Sequence, residues 1–216
     1  KMGVVSERLD GLRVPDEHTM EVVEMVLAGT VNQEIVSLIC GHGGRAVGLS
    51  GKDDLFLKAK RVEAMKTQSG KEVDPGRVGQ IHRVDADIVR QLVKGGFIPV
   101  IAPIAVDDAG GSLNVNADFV ASKVAAALGA EKLVLLTDIE GVRGAAGELL
   151  STLDTKATQK LIQEGTIKGG MIPKVRCALD AIEGGVQKVH VVDGRLEHAI
   201  LLEIFTDQGV GTEMVA

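Results

Sequence analysis

Strand-length runs of Val, Ile and Leu alternate with helix-length amphipathic stretches along most of this chain, and that alternation leaves few folds open. Apolar positions recur at helical spacing over 86–94, 117–128, 154–163 and 171–183; in the last, Val175, Ala178, Leu179 and Ile182 share one stripe. Between these stretches, 97–104, 133–137 and 188–192 are short apolar runs without a helical period. A strand that regains its sheet through a helix runs parallel to its predecessor. The expected fold is therefore α/β, a three-layer α/β/α sandwich around a mostly parallel sheet. Apolar residues make up 45% of the chain, yet it has only four Phe and no Tyr or Trp. Its layers must be packed with Val, Ile, Leu, Ala and Met, the usual filling of parallel sheets covered by helices.

The first third departs from this regularity. Two helical stripes, over 19–28 and 31–40, lead through a glycine cluster to a short buried strand over 45–49. Residues 52–84 carry mixed charge, Gly70 and Asp74-Pro75-Gly76, which predicts hairpins projecting from the main sheet. A final helix is expected over 198–205. The chain divides into an N-terminal lobe, 1–112, and a C-terminal lobe, 113–216.

A net charge of −6 without a basic cluster argues against nonspecific nucleic-acid binding. Cys40 and Cys177 lie inside apolar helical patterns and read as reduced core residues. The apolar runs are far shorter than the roughly 18 residues that mark a membrane span. The expectation is thus a soluble enzyme of the cytoplasm, with no membrane partner.

In open α/β sheets ligands gather beyond the carboxyl ends of strands, so turns that follow strands carry the functional reading. Gly41-His-Gly-Gly44 follows a helix and precedes a strand, the wrong order for a phosphate loop, and reads as a helix C-cap. Gly51-Lys52 fails the Walker pattern, with Asp53 in place of Ser or Thr. Asn114-Val-Asn-Ala-Asp118 sits between a strand and a helix. One of its polar residues can cap that helix; three at alternate positions exceed what a cap needs. Asp138, after the 133–137 strand, either closes a turn or edges a nucleotide site. Gly169-Gly-Met-Ile-Pro-Lys174 lets backbone approach a ligand, suits an anion at a helix start, and adds Lys174 in the first turn. Arg13, in Asp10-Gly-Leu-Arg13, is suited either to clamping a carboxylate through two parallel bonds or to a surface ion pair.

These segments occur together, and in this order, in the acetylglutamate kinases of the amino acid kinase superfamily, which the chain resembles along essentially its whole length. The matching stretches are Asp10-Gly-Leu-Arg13, Ala46-Val-Gly-Leu-Ser-Gly51, Asn114-Val-Asn-Ala-Asp118, Leu135-Leu-Thr-Asp138 and Gly169-Gly-Met-Ile-Pro-Lys174. His198-Ala-Ile-Leu-Leu-Glu-Ile204 and Gly209-Val-Gly-Thr212 complete the set. The resemblance implies ATP- and Mg2+-dependent phosphorylation of the γ-carboxylate of N-acetyl-L-glutamate, a step of arginine biosynthesis. It implies Arg13, Asn114 and Asn116 as substrate contacts, Asp118 as organiser of the catalytic cations, and Lys174 as stabiliser of the transferring phosphoryl group. ATP is expected along Asp138, Ile139, Glu140, Gly141, Val142 and Arg143, with Thr166, Ile167 and Lys168. The C-terminal stretch resembles the arginine-inhibited branch, which implies an arginine site at His190, Glu203 and Gly209 and a homo-oligomer, dimer or hexamer.

The family also has an N-terminal segment ahead of the counterpart of Lys1, with a Lys-x-Gly-Gly strand end and a His-Gly-Gly-Gly turn at the phosphates. The expectation is that this chain lacks those strands and is incomplete for catalysis. Pro15 stands where the family usually has Thr. Other readings are another amino acid kinase, of glutamate 5-kinase or uridylate kinase type, or a noncatalytic arginine-sensing module. An NAD-dependent oxidoreductase is more distant, because no glycine-rich fingerprint follows a first strand.

Overall fold

The computed structural model describes residues 16–66, 70–206 and 209–216, together with the strand pair at 8–9 and 12–13; of 8–9, 12–13 and 66 only the backbone is described. Two compact units divide the chain, Lys1–Val120 and Ala121–Ala216, so the division falls between Val120 and Ala121.

The first unit opens with a short antiparallel ladder, β1 (Arg8–Leu9) and β2 (Leu12–Arg13). Next comes a helical rod. Asp16 caps its start by accepting the Thr19 N–H at 2.7 Å, and α1 (Glu17–Glu24), a π-helical segment Met25–Val31 and α2 (Asn32–Gly41) follow without a break. The sequence predicts two helices here. A π turn inserts extra residue per turn and rotates the apolar stripe, so one rod reads as two out-of-phase helices. The rod ends as expected: Gly43, at φ +88°, and Gly44 send their N–H groups back to the Cys40 and Ile39 carbonyls, both at 3.0 Å.

Joined end to end, Glu17–Gly41 is long and apolar enough to cross a membrane by length and composition, which the separate stripes did not suggest. One of its faces nevertheless packs on its own unit. Met20 is buried with Ala102 and Ile104, and the buried Asn32 donates its amide to the Val100 carbonyl at 2.8 Å.

Beyond the rod, β3 (Ala46–Leu49) runs parallel to β8 (Ile98–Ile101). The intervening excursion is a pair of hairpins, as expected: β4 (Leu57–Arg61) pairs antiparallel with β7 (Gly79–Val84), and β5 (Met65–Lys66) with β6 (Glu72–Val73). Helix α3 (Asp87–Lys94) returns the chain to β8. The single strand predicted over 97–104 breaks at Ala102-Pro103, because Pro103 has no N–H to continue the ladder. The chain then changes sheets into β9 (Ile104–Val106), which pairs antiparallel with β10 (Ser112–Asn114) in a four-stranded sheet ordered β10-β9-β4-β7. Gly51 is clipped to this sheet. Its N–H donates to the Ile104 carbonyl at 2.7 Å, and a Cβ there would stand 2.4 Å from that oxygen. Lys52 pairs with Glu24 at 2.8 Å. Gly51-Lys52 is thus a packing element of this sheet.

Helix α4 (Ala117–Leu128) carries the unit boundary. In the second unit β11 (Lys132–Thr137), β12 (Thr152–Asp154), α5 (Thr155–Gln163), α6 (Met171–Glu183), β13 (Lys188–Asp193), α7 (Ala199–Phe205) and β14 (Thr212–Val215) follow in order. The sheet order is β11-β13-β14-β12, with β11/β13 and β12/β14 parallel and β13/β14 antiparallel. The sheets are therefore mixed: β14 returns through α7 to lie antiparallel to β13. One core joins Leu135, Val189, Val191 and Met214 of the sheet to Ala125 of α4 and to Val175, Ala178 and Leu179 of α6. His190 alternates to the opposite face, beside α7.

Candidate functional site

In the first unit two of the three expected substrate residues, Asn114 and Asn116, lie where β10 runs into α4. Asn114 ends the strand, its N–H held by the Arg77 carbonyl at 2.9 Å, and its side chain is half-buried. Asn116 does cap α4: its side-chain oxygen accepts the Asp118 N–H at 2.9 Å. That leaves the amide nitrogen of Asn116, which is exposed, as its group for a ligand. Asp118 lies half-buried in the first turn of α4. Arg13 is placed as backbone in β2, and its side chain lies outside the described residues, as does Pro15.

In the second unit two segments that the sequence offers separately line one cavity of about 170 Å3. Ile139, Gly141, Val142 and Arg143 form one wall; Thr166, Ile167, Lys168 and Met171 form the other. The first wall is the turn after β11, at the carboxyl edge of the sheet. Arg143 fixes it through Glu140 and the Gly147 carbonyl, both at 2.5 Å. Gly141 permits a close approach, since a Cβ there would meet the Thr212 hydroxyl at 2.6 Å. That hydroxyl, on β14, accepts the Val142 N–H at 2.8 Å, and both residues are buried. Thr212→Val is expected to leave the Val142 N–H unsatisfied and to destabilise the protein by about 1–3 kcal/mol, read as a lowered urea midpoint.

The second wall leads into α6. Gly169, at φ +59°, makes the left-handed turn before the helix, and Lys174, half-buried, sits in its first turn. The start of α6 and Lys168 thus border this cavity, an arrangement suited to phosphate groups. Asp138 is exposed beside it. The neighbouring turn after β13, which the sequence reading passed over, is tied in by the Gly194 N–H on the Thr137 carbonyl at 2.8 Å. There Arg195 grips Asp193 at 2.8 and 2.9 Å, and side-chain and backbone bonds from Arg195 hold the Asp193 carboxyl down to about 2.

The residues chosen for an effector site also converge. A cavity of about 360 Å3 is lined by His190, Glu203 and Gly209, and by Lys132, Ser151, Lys188 and Glu213, which the sequence reading missed. His190 Nδ1 bonds the Glu203 carboxylate, whose other oxygen accepts the Val210 N–H at 2.7 Å. Burial pushes the Glu203 carboxyl up, but the Val210 N–H and His190 outweigh it and leave the group below the usual carboxylate range. Glu213 stands directly across the ladder from His190 and pairs with Lys188 at 2.6 Å. With carboxylates, ammonium groups and a hydroxyl, the pocket suits a zwitterion that carries an extra positive charge. Lys132, Lys188 and Glu213 come together because β11, β13 and β14 are neighbours, and Ser151 arrives at the start of β12 beside β14; no strand was expected at 212–215.

Comparison with known proteins shows the family and the fold. The pattern of the amino acid kinase family matches residues 1–193. The acetylglutamate kinase of Geobacter sp. (strain M21) is 56% identical over 219 aligned positions, covering 100% of this chain and 75% of that protein. Among solved structures, N-acetylglutamate synthase from Neisseria gonorrhoeae, complexed with coenzyme A and N-acetyl-glutamate, superposes with a TM-score of 0.83 at 29% identity. The match covers 99% of this chain but 47% of the synthase, so the chain spans about half of that protein. The same synthase complexed with coenzyme A and L-arginine gives a TM-score of 0.76, again at 29% identity, over 99% of this chain and 49% of the synthase. A carbamate kinase of Giardia shares the fold, with a TM-score of 0.66 at 14% identity over 100% of this chain and 76% of that protein.

Proposed function

The chain belongs to the amino acid kinase family, and from that premise we propose that it is an N-acetyl-L-glutamate kinase whose site residues act as follows. The observation that carries the reading is the convergence of the 139–143 and 166–168 segments on one cavity beside the start of α6, in a chain 56% identical to an acetylglutamate kinase. ATP lies along Asp138 to Arg143 and Thr166 to Lys168. Arg13, Asn114 and the Asn116 amide hold the acetylated amino acid. An oxygen of its γ-carboxylate forms a bond to the γ-phosphorus as the bond to the β,γ-bridging oxygen breaks, giving an acyl phosphate and ADP. The carboxylate is ionised at neutral pH, so the protein supplies position and neutralising charge rather than a base. Lys174 supplies that charge.

Among the described residues no three His, Cys, Asp or Glu side chains are grouped to hold a metal. Mg2+ is typically held by substrate phosphates and waters with one or two carboxylates, and the half-buried Asp118 fits that part. Bound there it would neutralise phosphate charge.

Formation of a hydroxamate in the presence of hydroxylamine, dependent on both MgATP and N-acetylglutamate, tests the reaction. Equal turnover with free glutamate or with UMP would instead favour a glutamate 5-kinase or a uridylate kinase. Arg13→Lys is expected to raise the KM for N-acetylglutamate about tenfold or more, since a lysine loses one of two parallel charge-assisted bonds. Its kcat should change little.

The cavity at His190, Glu203 and Gly209 favours a second function, binding of arginine as feedback inhibitor. Its mixed charge supports this, as does the related synthase structure that holds L-arginine. A homo-oligomer working in the cytoplasm belongs to the same reading. Exposed Met25, Ile35 and Leu38 on the helical rod offer an apolar face for subunit contact. Arginine binding without any ATP binding would identify a noncatalytic sensor instead.

A further inference from the structure

The effector pocket contains a buried group with nothing to bond. His190 Nε2 is out of contact with solvent and has no hydrogen-bond partner among the described residues, and Glu213 Oε1 lies 3.7 Å away. The ring cannot turn to improve this, because its Nδ1 is committed to Glu203, itself anchored by the Val210 N–H. Antiparallel pairing sets Glu213 directly opposite His190, so strand register fixes the approach of the two groups.

Among the described residues, the charged groups around the ring come from three strands and a helix. Glu203 comes from α7 and Glu213 from β14; Lys188 lies on the same strand, and Lys132 reaches the cavity from β11. The face of β13 against α6 carries Val189 and Val191, both in the core. A neutral ring donating from Nδ1 to Glu203 would turn a bare lone pair toward the Glu213 carboxylate. A second proton replaces that repulsion with an attraction between opposite charges across 3.7 Å.

We propose that His190 and Glu213 form a proton-exchange subsite, in which the empty pocket holds an imidazolium between two carboxylates and a guanidinium ligand displaces its proton. The proposal rests on the arginine reading of this cavity. A guanidinium entering between Glu213 and Nε2 donates one N–H to the carboxylate and needs the Nε2 lone pair for another. The Nε2–H bond breaks, its proton passes to solvent, and Nε2 becomes an acceptor while Nδ1 keeps its proton toward Glu203. One cation replaces another, so the charge inside the pocket is unchanged. A ligand with a planar fork of donors bridges both acceptors; a lysine ammonium, a point charge, does so less well.

Since binding releases a proton, arginine affinity rises with pH by up to about tenfold per unit and levels off once the empty pocket is already neutral at His190. It is lost as pH falls. Calorimetric titration of the protein with arginine between about pH 5.5 and pH 8, in two buffers of different ionisation heat, counts the protons. The expected result is release of about one proton per arginine at the acid end, declining to none at the alkaline end. Glu213→Gln should weaken arginine binding and move the proton release to lower pH. His190→Asn should abolish proton release, with thermal melting confirming that each variant is folded. Arginine binding without proton release across the range, or a Glu213→Gln variant matching wild type in both affinity and proton count, would overturn the exchange while leaving the arginine pocket standing. No arginine binding by the wild type would overturn both.

Discussion

Lys174→Ala is expected to lower kcat by about 10²–10³-fold, the usual effect of removing one group that stabilises charge only in the transition state. The location of the residue makes the prediction specific. Gly169 and Gly170, which carry no side chain, lead into α6, where the Met171 and Ile172 N–H groups donate to the Lys168 and Gly169 carbonyls. Lys174 stands in the first turn, where a helix ordinarily favours acidic residues. Side chains on a helix lean toward its N-terminus, the direction in which the proposed role requires this ammonium to reach. A phosphoryl group in flight between two oxygens carries its charge on three equatorial oxygens, and an ammonium with rotatable donors can follow it. The loss should fall on kcat, with the KM for N-acetylglutamate near its wild-type value. Steady-state kinetics with both substrates varied decides it; a kcat within twofold of wild type would refute the role.

The largest loss of stability is expected at Met214→Ala, about 2–5 kcal/mol. Met214 is fully buried. It lies at the middle of its sheet, opposite Val189 of β13 and Leu153 of β12, within the core beneath α6. Truncation removes apolar area and leaves a cavity that two neighbouring strands cannot close without breaking their ladders. The change is a large fraction of the roughly 5–15 kcal/mol that holds a domain folded. Urea unfolding should show a lowered midpoint with an unchanged slope. Met214→Leu, which conserves volume, should cost less than about 1.5 kcal/mol. Equal losses for both would mean that cavity formation is not the cause. Because Glu213, which lines the arginine cavity, is its chain neighbour, the alanine variant should also weaken arginine binding before it unfolds.

The helices after residue 86 could be read directly from the chain, because an amphipathic helix writes its period into its own sequence: α6 begins and ends where Val175, Ala178, Leu179 and Ile182 predict. The C-cap at Gly43-Gly44 was equally local. The rod from Glu17 to Gly41 was not. Its π segment shifts the stripe, and only the backbone path reveals one helix in place of two.

The candidate sites divide along the same line. Glycines, an asparagine pair and a first-turn lysine each announce themselves locally, so 114–118, 138–143 and 169–174 were found as segments. Whether 139–143 and 166–168 share a cavity depends on how β11 and α6 are stacked, which no local pattern encodes. Strands β12 and β14, three and four residues long, are too short to display a period. Yet β14 inserts between β13 and β12 and so sets Glu213 against His190. Periodicity and turn chemistry act between residues close in the chain, and the sequence by itself therefore determined the elements and the residue types at their ends. Strand order and register are settled by burial between residues distant in the chain. Only the tertiary structure could decide which ends meet around a ligand.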